Sequence, residues 1–270
     1  MPSIHPSAIV EDGAHIADDV EIGAYAYVGG NVVLSDGVRL HHHASVVGHT
    51  TIGARTVVYP FASLGTPPQS VHYKGEPGRV TIGADCQIRE HVTVNIGTTA
   101  GGLETRIGDR CFLMVGSHVA HDCQVGSNVI FANNATLGGH VTVGDFVFFG
   151  GLSAVHQFVR IGEQAMIGGL APVKRDVIPF ATVREGAGRI AGLNVIGLKR
   201  RGFDRATIHG LRAAYRAIFY GDGSLAERVE RAADDFAHNP QVMRVVEFIR
   251  GAGKRHIAVP HDVYAEDEDD

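Results

Sequence analysis

An apolar residue returns at every sixth position of this chain, and that period decides what the chain can fold into. From Ile4 the beat runs through Val10, Ile16, Ile22, Val28, Leu34, Leu40, Val46, Ile52, Val58 and Leu64. It resumes at Ile82, Ile88 and Val94, then slips by one residue. From Ile107 it continues through Leu113, Val119, Val125, Phe131, Leu137, Val143, Phe149, Val155, Ile161 and Ile167 to Val173. An α-helix repeats at about 3.6 residues and a strand at about 2, so neither alone explains it. A short strand that sends one side chain inward, followed by a corner, does. Three such units close a triangular coil of 18 residues, the interval that separates Gly108, Gly126, Gly144 and Gly162. Coils stacked about 4.8 Å apart make a prism about 40 Å long. The expected fold is mainly β: a parallel β-helix of hexapeptide type over 1–190, followed by a small α-helical C-terminal domain. The spacing does not fix its hand. Most parallel crossovers are right-handed, whereas hexapeptide prisms are left-handed, and a left-handed coil is the expectation.

Two stretches interrupt the beat. "GTPPQSVHYKGEPGR" (65–79) and "NIGTTAGGLETR" (95–106) place Gly, Pro and polar residues where aliphatics are due, and read as loops leaving the prism. Beyond Pro179 the period disappears. "DRATIHGLRAAYRAIFY" has the 3/4 spacing of an amphipathic helix with Asp204 as cap. "SLAE" at 224–227 is a capping box, and a further helix is expected from Gln241 to Arg250. The helical domain therefore spans 191–258, and the acidic tail 259–270 is expected to be disordered. Lys199, Arg200, Arg201, Arg205, Arg212 and Arg216 form a basic cluster suited to an acidic partner or a phosphate.

The totals narrow the class. A net charge of -5 argues against a general nucleic-acid binder. No apolar run reaches membrane-spanning length, and the N-terminus lacks the pattern of a signal peptide. Cys86, Cys111 and Cys123 fit no zinc motif, so a reduced cytoplasmic protein is expected. Histidine is abundant, with 16 residues. Three of these stand in "LMVGSHVAHDCQVGSNVIFANNATLGGH" (113–140): His118, His121 and His140. They can be metal ligands, a general base with helpers, or solvent-facing residues. His121 and His140 are 19 residues apart, almost one coil, and His156 is 18 beyond Gly138. The histidines thus converge on one edge of the prism.

With "HVAHDC", "FANNATLGGHV", "GGLSAVHQF" and "NVIGLKRRGF", the chain closely resembles the acyl-ACP–UDP-N-acetylglucosamine O-acyltransferases, which begin lipid A synthesis in Gram-negative bacteria. The resemblance implies transfer of a 3-hydroxyacyl chain from acyl carrier protein to the 3-hydroxyl of a UDP-sugar, with no metal, no cofactor and no covalent enzyme intermediate. A sugar hydroxyl is a weak nucleophile and needs a base as it attacks; histidine suits that task near neutral pH. The resemblance makes His121 the base, Asp122 its support, and the Gly139 N–H the oxyanion donor. His118, His140, His156 and Gln157 would surround the substrates. Asn194, Arg200 and Arg201 would meet the UDP phosphates or the carrier protein, Arg by its bidentate fork. Gly169 in "MIGGLAP" matches the position that limits acyl length, and a bare Gly favours a long chain. A homotrimer with each cleft shared by two neighbours is also implied.

The chain departs from the family pattern where the sugar nucleotide is expected. Ser70 and His72 stand where Asp and Lys are usual, Asn95 where His is common, and Ile196 where an acidic residue is common. His72 and Asn95 remain expected substrate contacts. Loss of a permanent cation eases binding of an acceptor that carries an amine, so a UDP 3-amino sugar, giving an amide, is the alternative acceptor. A more distant alternative is a trimeric zinc enzyme like a carbonic anhydrase, with His118, His121 and His140 as ligands. Against it, residues three apart on a straight strand face opposite ways.

Overall fold

The computed structural model describes residues 1–184, 188–260 and 263. Each residue of the six-residue beat lies in its own short strand, from Ser3–Ile4 to Pro172–Val173. Successive strands fall in turn onto three parallel sheets, so the coil is triangular in section. The fold is a left-handed parallel β-helix. Register follows the 18-residue turn: Ile4 pairs with Ile22, and Val119 with Leu137. Inside, the beat residues form one continuous core from Ile22 onward. Ile4, in the first coil, is 42% exposed.

The corners explain which residues the period tolerates. Asp122, Asn128, Asn134, His140, Phe146, Leu152, Phe158, Gln164 and Leu170 follow one another at intervals of six, all with φ between 58° and 66°. This left-handed conformation closes each corner. Among the described non-glycine residues that adopt it, none is Val, Ile or Thr. A β-branched side chain would press a second γ-group onto the backbone there.

The two excursions are shorter than the sequence suggested. Strand Ser63–Thr66 runs into the first and strand Arg79–Ile82 ends it, leaving 67–78 outside the coil. The second expected loop, 95–106, is partly strand: Asn95 ends one strand, and Glu104–Ile107 pairs in register with Arg79–Ile82. The cause is the inward alternation of Thr105 and Ile107, both buried beside Val80 and Ile82. Only 96–103 leaves the prism, with a 3-10 turn at Thr99–Gly101.

The prism does not stop at 190. Ile190–Leu193 runs antiparallel to Ala181–Val183 and ends the sheet. Among the described residues four α-helices follow: α1 (Val195–Arg200), α2 (Arg205–Tyr220), α3 (Leu225–Asp235) and α4 (Pro240–Arg250). Asp204 caps α2, Ser224 and Glu227 form the capping box of α3, and Asn239 caps α4. Helix α1, capped by Asn194, has no counterpart in the sequence reading. Buried Asp176 fastens the domain to the prism: its carboxylate takes Arg160 at 2.7 Å and Arg255 at 3.2 Å, while Arg160 also reaches the Phe248 carbonyl on α4. Val259 and Pro260, assigned above to a disordered tail, are buried, and Pro260 bridges to Ile190. "AEDEDD" lies outside the described residues.

Candidate active site

The corner that follows strand His118–Val119 carries His121 and Asp122. One coil on, the same corner carries Gly139 and His140, and the next carries Gln157 and Phe158. The His140 N–H donates to the His121 carbonyl and the Phe158 N–H to the Gly139 carbonyl, which locks the three corners together. His121 Nδ1 lies 2.8 Å from Asp122 Oδ2. With a carboxylate as partner, Nδ1 carries the hydrogen and Nε2 keeps its lone pair. Nε2 has no hydrogen-bond partner among the described residues, and the His121 side chain is 18% exposed.

Asp122 has a side-chain exposure of 0%, yet it is well satisfied. Thr98 donates its N–H to Oδ1 at 2.7 Å and its hydroxyl to Oδ2 at 2.6 Å. The Asp122 N–H donates to Thr105 Oγ1 at 2.8 Å, holding the backbone at φ 62°. Gly101 closes over the carboxylate so tightly that any Cβ there would overlap Asp122.

Gly139 lies buried beneath the His121 ring; a Cβ would stand 2.6 Å from His121 Cε1. The imidazole therefore demands glycine here. The Gly139 N–H donates to no described residue. His140 meets His121 edge-on at 5.0 Å and stacks on Phe158 at 4.4 Å. Its Nε2 is 3.7 Å from Asp122 Oδ2. Burial lowers the His140 pKa, with Asp122 acting in the opposite sense. His118 pairs through Nδ1 with Thr93 Oγ1 at 2.7 Å, and burial, then the nearby His121, lowers its pKa too. Both rings are thus held toward the neutral form.

The trio His118, His121 and His140 does not form one ligand set. Among the described residues, the atoms that gather within 4.8 Å belong to His121, Asp122 and His140. Both oxygens of that carboxylate are already engaged by Thr98 and His121.

The other expected site residues divide between this edge and the rest of the molecule. His156 and Gln157 are exposed on the same edge, with His156 Nδ1 at 3.1 Å from the Gln157 carbonyl. His72 is exposed on the first excursion. Asn95 is not at a surface: it is 3% exposed and its amide donates to Thr66 Oγ1 and the Pro67 carbonyl, holding that excursion down. Asn194 is a buried cap that accepts from the Gly197 N–H and donates to the Gln164 carbonyl. With Arg200, Arg201, Phe146 and Met166 it lines a cavity of about 740 Å³ on a second edge of the prism. Arg201 donates to the Phe146 carbonyl at 2.9 Å, and desolvation lowers its pKa. Gly169 stands on the third edge, where a Cβ would meet only Gly151, at 3.3 Å from its carbonyl oxygen. Thr93, Thr98, Gly101 and Thr105 were missed. The only sign of the latter three was the slip in the beat around them.

A stacked hexapeptide coil with a histidine–carboxylate pair on one edge and a helical C-terminal domain defines a β-helical acyltransferase. Matches to known proteins agree. The model of the bacterial transferase hexapeptide repeat matches residues 1–36 and 104–139, and that of UDP-N-acetylglucosamine O-acyltransferase domain 2 matches 176–258. The chain is 58% identical over 257 residues, 95% of each chain, to the acyl-[acyl-carrier-protein]–UDP-N-acetylglucosamine O-acyltransferase of Azorhizobium caulinodans. It is 52% identical over 258 residues to that of Caulobacter vibrioides, covering 96% of this chain and 98% of the other. Among solved structures, UDP-N-acetylglucosamine acyltransferase from Campylobacter jejuni superposes with a TM-score of 0.89 at 38% identity, over 96% of this chain and 99% of that one. The Francisella novicida enzyme gives 0.93 at 30% identity, over 98% and 97%. The chain belongs to the acyl-[acyl-carrier-protein]–UDP-N-acetylglucosamine O-acyltransferase family and is an acyltransferase. Among the described residues, no helix is long and apolar enough to cross a membrane.

Proposed function

We propose that the chain transfers a 3-hydroxyacyl group from the phosphopantetheine thioester of acyl carrier protein to the 3-hydroxyl of UDP-N-acetylglucosamine, in the cytoplasm, as the first step of lipid A synthesis. The observation that carries this reading is the His121 ring: fixed at Nδ1 by a buried carboxylate, without a hydrogen-bond partner at Nε2 among the described residues, and partly exposed. Nε2 takes the proton as the sugar oxygen attacks the thioester carbonyl. The oxyanion of the tetrahedral intermediate accepts a hydrogen bond from the unengaged Gly139 N–H. The C–S bond then breaks, and the departing sulfur takes the proton from the imidazolium. Asp122 steadies that cation without itself being protonated. Arg200 and Arg201, beside the cavity of about 740 Å³, suit the two phosphates of the nucleotide.

His121, the arginine-lined cavity and Gly169 occupy three different edges of one prism. A single copy therefore cannot gather them around one pair of substrates, and a homotrimer that sets the edges of neighbours against each other can. Both substrates and the product are soluble or carrier-bound, and the reading uses no metal or cofactor.

Transfer assays with His121→Ala test it. With UDP-N-acetylglucosamine as acceptor, kcat should fall at least about a hundredfold while the protein stays folded; unchanged turnover would remove His121 from the reaction. The same assay with a UDP 3-amino sugar tests the amide-forming alternative. A strong preference for the amine would replace the proposed acceptor and leave the role of His121 standing.

A further inference from the structure

We infer that Thr98, on the excursion 96–103, is a positioning residue for the transfer, acting on His121 through Asp122. The inference rests on the reading of His121 as the base. A carboxylate aligns an imidazole only while its own plane is fixed, and the terminal torsion of an aspartate is soft. Thr98 removes that softness by gripping both oxygens at once, N–H on Oδ1 at 2.7 Å and hydroxyl on Oδ2 at 2.6 Å. Oδ2 is the atom that also takes His121 Nδ1. The hydroxyl thus fixes the position of the shared acceptor, and with it the direction of Nε2.

Nothing else in the excursion uses that hydroxyl. The turn itself is closed by the Thr98 carbonyl, which accepts from the Gly101 and Leu103 N–H groups. The hydroxyl has one hydrogen bond among the described residues, to Asp122. Thr98 is 8% exposed, and Gly101 covers the carboxylate beside it. A water molecule therefore cannot readily replace the lost donor. Val94 and Ile107 stand on successive strands 13 residues apart where the period needs six, and the seven extra residues let 96–103 leave the coil and fold back over the corner.

The test compares Thr98→Val, Thr98→Ala and Thr98→Ser in the full chain, with kcat and the KM for each substrate measured separately and melting followed in parallel. Thr98→Val should lower kcat about tenfold with both KM values within about twofold of wild type, and Thr98→Ser should return kcat to within about threefold. Wild-type kcat in Thr98→Val, a loss confined to KM, or a Ser variant no better than Val at equal stability would overturn the inference. If Val and Ala both fail to fold, the hydroxyl is structural and the inference fails as well. His121→Ala, measured alongside, separates the two levels: an active His121→Ala sinks the base assignment, whereas an inactive one with a fully active Thr98→Val sinks only the role of Thr98.

Discussion

Two corners of the same coil share a backbone and differ in what lies over them. At the corner of Asp122 and His140 the chain returns as the excursion 96–103, and the Asp122 side chain has an exposure of 0%. At the corner of Leu152 and Leu170 no such excursion is found among the described residues, and those two are 58% and 61% exposed. All four residues sit at φ between 58° and 62°. The coil therefore supplies a repeated frame but no chemistry. Chemistry arises where a second layer of backbone buries a carboxylate and still satisfies it, since an unpaired buried charge would cost several kcal/mol.

The largest break in that contrast is Asp122→Asn. Three donors converge on the carboxylate: the Thr98 N–H, the Thr98 hydroxyl and His121 Nδ1. An amide offers one oxygen, so at least one donor is orphaned and the imidazole tautomer is no longer fixed. Turnover should fall about a hundredfold or more, with about 1–3 kcal/mol lost in denaturant unfolding. Full activity in this variant would mean that the covered corner has no part in the reaction.

A smaller effect separates the corners by glycine. Gly101→Ala drives a methyl into Asp122, and Gly139→Ala drives one into the His121 ring. Gly169→Ala, on the bare corner, meets only Gly151, at 3.3 Å from its carbonyl oxygen. The first two should each lose about 1–3 kcal/mol of stability or about tenfold in kcat. Gly169→Ala should stay within about 0.5 kcal/mol of wild type and alter only which acyl lengths are accepted. Product analysis with mixed acyl carriers, beside unfolding curves, reads both.

This division also marks what the sequence could disclose. The period of six specified the coil because each aliphatic position has one inward direction, so the pairing of residues 18 apart needs no further information. It also placed His121 near His140, because they are 19 apart on stacked corners. Thr98 and Thr105 were invisible for the complementary reason: they lie where the period fails, and contacts across an excursion depend on three-dimensional closure. Asn95 and Asn194 show the converse limit. Both are polar residues at positions read as substrate-facing, and both are buried, holding a loop and a helix start. Composition cannot separate a polar side chain that binds a ligand from one that binds its own backbone.

The smallest expected effect concerns pH. His118 and His140 flank the covered corner, and burial lowers the pKa of each below the ordinary 6.5. The unfolded chain protonates its histidines at that ordinary value, so below 6.5 it binds more protons than the folded chain. Folding stability must then drop as pH falls from 6.5 until the folded-state pKa values are passed, below which the loss is complete. One group contributes at most about 1.4 kcal/mol per pH unit, and His118, the more enclosed ring, should dominate. Between about pH 7.5 and about pH 5.5 the melting temperature should therefore fall, in part through His118. His118→Gln should remove that part of the fall, since glutamine keeps a polar partner for Thr93 and cannot titrate. An identical pH dependence in wild type and variant would show that the ring gains no protection from the fold, and that the enclosure of the corner stops at Asp122.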